Sequence, residues 1–317
     1  MDSGTGSGAL RHRLVEVTLH GLRGALMGAA DVVPGVSGGT VALLLGIYTR
    51  LIDTVRCGAG GLAALMRGNR GDALRSLRRV DWWFAIPLLV GIAGAVVALS
   101  SLMDELLLNH PEAMAGVFFG LVGASIIVAW QLLRLPKAHH ALVALAVGAV
   151  FFGLLGFQSE PVADPPAMVL VGAGTAAACA MLLPGISGAF ILLMIGVYPA
   201  VIGAVDDRVW TDVAVVGAGA VLGVVLFSKL IGHVLDRWHD PTLAVMIGLL
   251  VGSLRVLWPW PNGVGVISRH AETAIDGTGL GWAPIGELWL PTTLAISAAT
   301  LIMVLHRVAR PTQTARR

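Results

Sequence analysis

Charge is scarce in this chain. Only 13% of its 317 residues are Asp, Glu, Lys or Arg, against about 25% in a soluble domain. With 56% hydrophobic residues and a mean hydropathy of +0.83, that shortage excludes a soluble enzyme. It leaves no charge pattern suited to nucleic acid. Cysteine is nearly missing too. Cys57 heads a basic stretch and Cys179 sits in an apolar segment, and their spacing suggests neither a disulfide nor a metal site. The histidines show no H-E-x-x-H spacing. His139, His140 and His306 fall at segment edges, so no metal or other cofactor is expected. No P-loop lysine, Gly-x-Ser-x-Gly turn or Ser-x-x-Lys pattern accompanies Ser37 or Ser187. Nothing in these patterns argues for ATP hydrolysis or covalent catalysis. No secretory signal pattern precedes the first apolar segment, and the Gly/Ser-rich start is expected to be flexible.

What the chain does have is a repeated interruption. Asp31-Val-Val-Pro-Gly-Val-Ser-Gly-Gly-Thr40 returns as Met181-Leu-Leu-Pro-Gly-Ile-Ser-Gly-Ala-Phe190. Each copy runs on into an apolar helix that carries Gly46-Ile47-Tyr48 or Gly196-Val197-Tyr198. A Pro-Gly break inside an apolar segment frees backbone groups where lipid cannot satisfy them. Two such breaks at matching positions predict a transporter with a midplane site between broken helices.

Ten apolar segments are expected, at 17–33, 37–55, 83–103, 113–133, 141–157, 167–183, 187–205, 213–230, 243–258 and 288–306. Most are near the about 20 residues needed to span. The four that flank the breaks are marginal and suit re-entrant hairpins. The likeness extends further, since His110-Pro111 and Gly120-Leu-Val-Gly-Ala-Ser125 parallel Asp240-Pro241 and Gly248-Leu-Leu-Val-Gly-Ser253. The expected fold is therefore all-α, a polytopic integral membrane protein. It has two inverted-topology repeats, each with a broken or re-entrant helix hairpin plus about three transmembrane helices. The repeats fall at 17–157 and 167–307, between a flexible cytoplasmic start at 1–16 and a basic tail at 308–317.

Charge placement fits that topology. Arg56, Arg67, Arg70, Arg75, Arg78 and Arg79 crowd one loop, Arg134 and Lys137 a second, and Lys229 with Arg237 a third. Arg307, Arg310, Arg316 and Arg317 close the chain. By the positive-inside rule these face the cytoplasm, and so do both termini. The opposite loops carry Asp104-Glu105, Glu160 to Asp164 and Asp206-Asp207, with Arg255 and Arg269 as exceptions near the long outer connection 258–286. The first break then opens inward and the second outward. Trp82, Trp83, Trp258 and Trp260 lie at segment ends, as an interfacial belt would.

A helix that starts after Pro34-Gly35 presents bare N–H groups and the positive end of its dipole. Ser37 can cap it, Thr40 adds a hydroxyl, and Gly38 and Gly39 allow close approach, which together suit a phosphate or carboxylate. The second copy offers Ser187 and Gly188 but has Ala189-Phe190 where the first has Gly39-Thr40. The alternative for each loop is a tight turn with no ligand. Arg23 and Asp31 are charges at depth, which default to function. Arg23 suits an anionic headgroup. Asp31 suits a proton or cation carrier, or a structural partner of Arg23 that holds the loop, although their spacing of eight residues is too long for direct contact. Lys229 and Arg255 lie near segment ends, where snorkelling is the competing reading.

The run from Gly28 to Thr40 with Leu45-Gly-Ile-Tyr48, then Met181 to Gly188, Phe227-Ser-Lys-Leu-Ile231 and Gly248-Leu-Leu-Val-Gly-Ser-Leu254, resembles the signature of the DUF368 membrane proteins, in order along nearly the whole chain. That resemblance implies a polyprenyl-phosphate translocase in the bacterial cytoplasmic membrane. It would return undecaprenyl or decaprenyl phosphate from the outer to the cytoplasmic leaflet for cell-envelope synthesis. It implies Asp31, Ser37, Gly38, Gly39, Thr40, Ser187, Gly188, Ser228 and Lys229 as headgroup candidates, with a proton or sodium ion as coupling partner. The region equivalent to Ser228-Lys229 in the first half, Leu99-Ser-Ser-Leu102, has no lysine. Two other classes compete. An ion-coupled transporter or channel for a small soluble anion would use the same broken helices, and a lateral groove to the bilayer would separate it from a lipid carrier. A membrane enzyme acting on lipid phosphate would need a nucleophile or metal cluster, and neither is visible.

Overall fold

The computed structural model describes residues 4–32, 37–157, 161–162, 164–260, 280–284 and 286–309. Among them are thirteen helices and no strand. In chain order they are α1 (Gly4–Asp31), α2 (Gly38–Leu44), α3 (Tyr48–Met66), α4 (Arg70–Arg78), α5 (Trp82–Asn109), α6 (Pro111–Gln131) and α7 (Ala138–Leu154). Then follow α8 (Ala167–Met181), α9 (Gly188–Met194), α10 (Tyr198–Asp206), α11 (Trp210–Arg237), α12 (His239–Ser253) and α13 (Trp289–Ala309). Within α5, α6 and α11, three helices are long and apolar enough to cross a membrane, and the bent pair of α9 and α10 makes a fourth if counted as one span. The outward faces are apolar. Val97 on α5 is 79% exposed and Leu142 on α7 is 67% exposed, as suits a surface solvated by lipid.

Helix ends follow from local residues. Asp81 accepts from the Phe84 backbone N–H to start α5, and Asn69 accepts from Asp72 to start α4. Pro111 opens α6, where its missing N–H costs nothing. Helix α1 begins at Gly4, well ahead of residue 17, where the apolar segment was expected to start.

The segments expected at 37–55 and 187–205 are each two helices, not one. Gly46 and Gly196 adopt φ of 68° and 76°, which glycine reaches without a Cβ clash. Gly46 N–H donates to the Leu43 carbonyl and Ile47 N–H to that of Ala42. Gly196 and Val197 repeat this with Leu193 and Leu192. These are paired Schellman caps, and they turn α10 by 115° from α9. The Gly-(Ile/Val)-Tyr element therefore ends a helix instead of lying inside one. The expected basic loop from Arg56 to Arg79 is also largely helical. It forms the end of α3 and all of α4.

Packing partners correspond between the halves. Helix α1 runs along α5 as α8 runs along α11, and α6 pairs with α13 as α12 pairs with α7. Several close glycine contacts recur at matching places. A Cβ on Gly24 would collide with the Leu88 carbonyl, and one on Gly174 with the Val216 carbonyl. Gly120 meets the Ala295 backbone as Gly248 meets that of Ala144. Small residues at these places let backbones touch, which drives helix association in lipid. The main core gathers Met27, Ile52, Phe84, Leu88, Val122, Met246 and Leu250.

The four tryptophans expected to form an interfacial belt do not share one environment. Trp82 and Trp83 are exposed, but Trp260 is buried, and Trp258 packs edge-on against both Trp260 and Phe119. Gly281 ties this group to the end of the outer connection. Its N–H donates to the Trp260 carbonyl, and its carbonyl accepts from Trp258 Nε1. Most of that connection (261–279), with Arg269, lies outside the described residues, as do Pro34, Gly35 and the tail from 310.

Candidate functional site at the junction of the two breaks

The start of α2 abuts the second break. Thr40 and Ser37 are buried at 0% and 2% exposure. The hydroxyl oxygen of Thr40 accepts from the Gly185 N–H at 2.9 Å. Ser37 Oγ accepts from the Gly39 N–H at 3.1 Å and directs its own proton to the Leu183 carbonyl at 3.5 Å. Tyr48 donates to the Leu182 carbonyl at 2.7 Å. Three side chains of the first break thus serve backbone groups freed by the second. Such groups are costly to leave bare in a dry interior.

Asp31 closes the other side. Its Oδ1 accepts from the Gly38 N–H at 2.5 Å, so a carboxylate of the chain itself occupies the positive end of α2. Gly38 and Gly39 are needed because a Cβ at Gly38 would strike the Asp31 carboxylate, and one at Gly39 would press on Ser37 Oγ. The close approach that glycine allows here is to the protein's own groups.

The second break is barer. Ser187 stands at the N-cap of α9, but its side chain makes no capping hydrogen bond to the helix. Gly188 lies against Met181 and the Ala177 carbonyl. Phe190, at the position of Thr40, packs with Leu155 and Val256. Its apolar character fits that packing.

The remaining candidates do not converge on the junction. Arg23 lies eight residues up α1, where its Nη1 sits 3.3 Å from His20 Nδ1. Arg255 follows α12, with its guanidinium over the Phe152 ring at 4.9 Å and Nη1 on the Phe152 carbonyl. Ser228 is fully buried, and its hydroxyl has no hydrogen-bond partner among the described residues. Lys229 is exposed on a different face of α11. Tyr48 was missed as a site residue, although its recurrence after Gly46, as Tyr198 recurs after Gly196, was a signal for it. No group of three metal-ligating side chains occurs among the described residues.

A groove of about 650 Å³ leads away from the junction. Its lining includes Leu183, Phe227, Leu230, Trp238, Val245 and Leu249, and Thr242 is its one polar side chain. The Thr242 hydroxyl is already bonded to the Trp238 carbonyl at 2.7 Å. Leu230, Trp238 and Val245 are exposed, so the groove lies on the outer surface between α11 and α12.

Residues 27–274 match the family described as VCA0040-like, undecaprenyl phosphate translocase-like. The chain is 37% identical over 243 residues to a polyprenyl-phosphate transporter of Vibrio cholerae, covering 75% of this chain and 77% of that one. It is 32% identical over 257 residues to a polyprenyl-phosphate transporter of Staphylococcus aureus, covering 75% and 85%. No solved structure matches it.

Proposed function

The chain belongs to the undecaprenyl phosphate translocase-like family, a family of membrane transporters and not of enzymes, and from that membership we propose a cycle for it. The protein carries a polyprenyl phosphate, undecaprenyl or decaprenyl, from the outer to the cytoplasmic leaflet of a bacterial cytoplasmic membrane. The observation that carries this reading over a soluble-anion transporter is the apolar groove that starts at Leu183. Leu183 is also the residue whose carbonyl takes the Ser37 hydroxyl. A tail can stay in that groove while its phosphate reaches the junction.

In this reading the two halves are inverted repeats, with both termini cytoplasmic. The matched packing of α1 on α5 and α8 on α11 supports the repeat, and the arginine-rich segments support the orientation. Taking a dianion through hydrocarbon is prohibitive without prearranged donors. The start of α2, with Ser37, Gly38 and Gly39, and the start of α9, with Ser187 and Gly188, supply them from opposite sides. Thr40 holds the two breaks together. Lys229, next to groove-lining Leu230, and Arg255 act along the path and not at the junction.

Asp31 is the competing anion. While ionised it holds the Gly38 N–H, and an arriving phosphate must displace it. Protonation of Asp31 removes the competing charge, so proton uptake and phosphate binding favour each other. Rocking of one half against the other then exposes the junction to alternate faces.

The test is leaflet exchange of polyprenyl phosphate in liposomes that hold the purified protein. Exchange that is fast in the wild type, slower in Ser37→Ala and slower in Val245→Trp, which fills the groove, supports the reading. No acceleration under a pH or sodium gradient, with uptake of a soluble anion instead, sinks it.

A further inference from the structure

We propose that His20, Arg23 and Arg50 form a second site for a phosphate monoester, two helical turns along α1 from the junction. The site stands on its own geometry, and only the identity of its lipid ligand rests on the translocase reading.

The cluster is built on Phe84, which is fully buried. His20 is 6% exposed and meets the Phe84 ring edge-on at 5.1 Å. Arg50, at the start of α3, lays its guanidinium over the same ring at 4.5 Å. Arg50 Nε and Nη2 both donate to Asp81 Oδ2, at 2.9 and 2.5 Å. Its remaining Nη1 faces His20 Nε2 at 3.3 Å, while Arg23 Nη1 faces His20 Nδ1, also at 3.3 Å.

These contacts cannot all be satisfied. A neutral imidazole has one lone pair in its plane and one N–H. It accepts from one arginine, and its own N–H points at the other. A protonated ring faces both as a donor. In every state at least one guanidinium N–H meets another donor, and the 3.3 Å spacing is longer than the about 2.8 Å of a charge-assisted bond. Asp81 is engaged by Arg50, and Glu16, one helical turn before His20, adds a negative charge near the ring, but among the described residues no carboxylate forms an ion pair with Arg23, whose guanidinium faces His20. The cluster therefore holds two guanidiniums and an imidazole N–H with too few acceptors.

A phosphate monoester corrects that shortage. Its terminal oxygens can take the Arg23 fork, the Arg50 Nη1 that Asp81 leaves unbonded and the ring N–H together. Guanidinium geometry suits phosphate better than a point charge does. Arg23 lies eight residues before Asp31, about 12 Å along the helix. A headgroup that leaves the junction along α1 meets this cluster next.

The test uses the full chain in nanodiscs of zwitterionic lipid, with two probes, a short-chain prenyl phosphate and inorganic phosphate. Arg23→Gln is expected to weaken prenyl-phosphate binding at least tenfold, and Arg23→Lys to restore part of the loss. Equal weakening for inorganic phosphate assigns the site to the phosphate group as such. Weakening for the prenyl probe alone assigns it to a headgroup presented by the bilayer. Binding of both probes by Arg23→Gln as tightly as by the wild type overturns the proposal. A second measurement needs no variant. Saturating prenyl phosphate should protect Arg23 of the wild type from phenylglyoxal at least fivefold, read by peptide mass spectrometry, and unprotected Arg23 also overturns the proposal. Leaflet exchange is scored separately. A wild type that binds through Arg23 but moves no lipid sinks the transport reading and leaves this site standing.

Discussion

The backbone N–H of Gly185 donates to the hydroxyl oxygen of Thr40 at 2.9 Å across 145 residues of chain. This bond joins the two breaks directly, between buried groups. Thr40→Val keeps the shape and removes the acceptor. It should cost about 1–3 kcal/mol, the penalty for a buried donor left bare, and slow exchange as well. Thr40→Ser should stay close to wild type. Thermal unfolding in detergent together with exchange rates checks both, and a fully stable Thr40→Val would show that the bond contributes little.

Asp31→Asn keeps an oxygen for the Gly38 N–H but removes the competing charge. Phosphate binding should tighten several-fold, and exchange should lose most of its dependence on an imposed pH gradient. Exchange measured with and without the gradient decides this. An unchanged gradient response would remove Asp31 from the coupling.

The matched glycines make a paired prediction. Gly24→Ala and Gly174→Ala each place a methyl group on a facing carbonyl, at Leu88 and Val216. Each should destabilise by about 1–3 kcal/mol, the usual cost of overpacking. Gly58 on α3 has nothing within 4 Å of an added Cβ, so Gly58→Ala should be neutral or stabilise by up to about 1 kcal/mol. Melting temperatures of the three variants provide the comparison.

Asp240 predicts an acid limit. Desolvation pushes its carboxyl up, but the hydrogen bond with His239 and the backbone N–H groups of Arg134 and Leu135 outweigh it and hold the pKa well below the usual range. A lowered folded pKa gives stability that is complete above the ordinary carboxylate value. That stability is lost as pH falls below it, towards the folded value. Wild type should therefore lose stability on acidification below about pH 4. Asp240→Asn should be less stable near neutrality by roughly 2 kcal/mol, the scale of hydrogen bonds to a charged group, and should show a smaller loss on acidification. Unfolding curves at several pH values would test this, and parallel curves for the two proteins would refute it.

Much of the architecture was legible because lipid enforces simple rules. Apolar runs marked helical stretches, and two Pro-Gly interruptions marked the breaks. The caps at Gly46 and Gly196 were not legible. Both glycines sit inside apolar runs, where hydropathy continues unbroken while the backbone turns through a positive φ. The partners of Ser37, Thr40 and Tyr48 were hidden for another reason. Each bonds a main-chain group more than a hundred residues away, and main-chain groups leave no trace in sequence. Asp31 could be flagged as a charge at depth, but its grip on Gly38 depends on how α1 ends. Arg50 and His20 went unnoticed because Phe84, distant in sequence, is what gathers them.

The one-sided supply of hydroxyls from the first break sets an order of assembly. A chain threaded into the membrane from its N-terminus installs Ser37, Thr40 and Tyr48 well before Leu182, Leu183 and Gly185 emerge. The early half carries spare bonding capacity that waits for a partner, and the late half arrives in debt. Two copies of the late half could not close on each other, since Phe190 stands where each would need a hydroxyl.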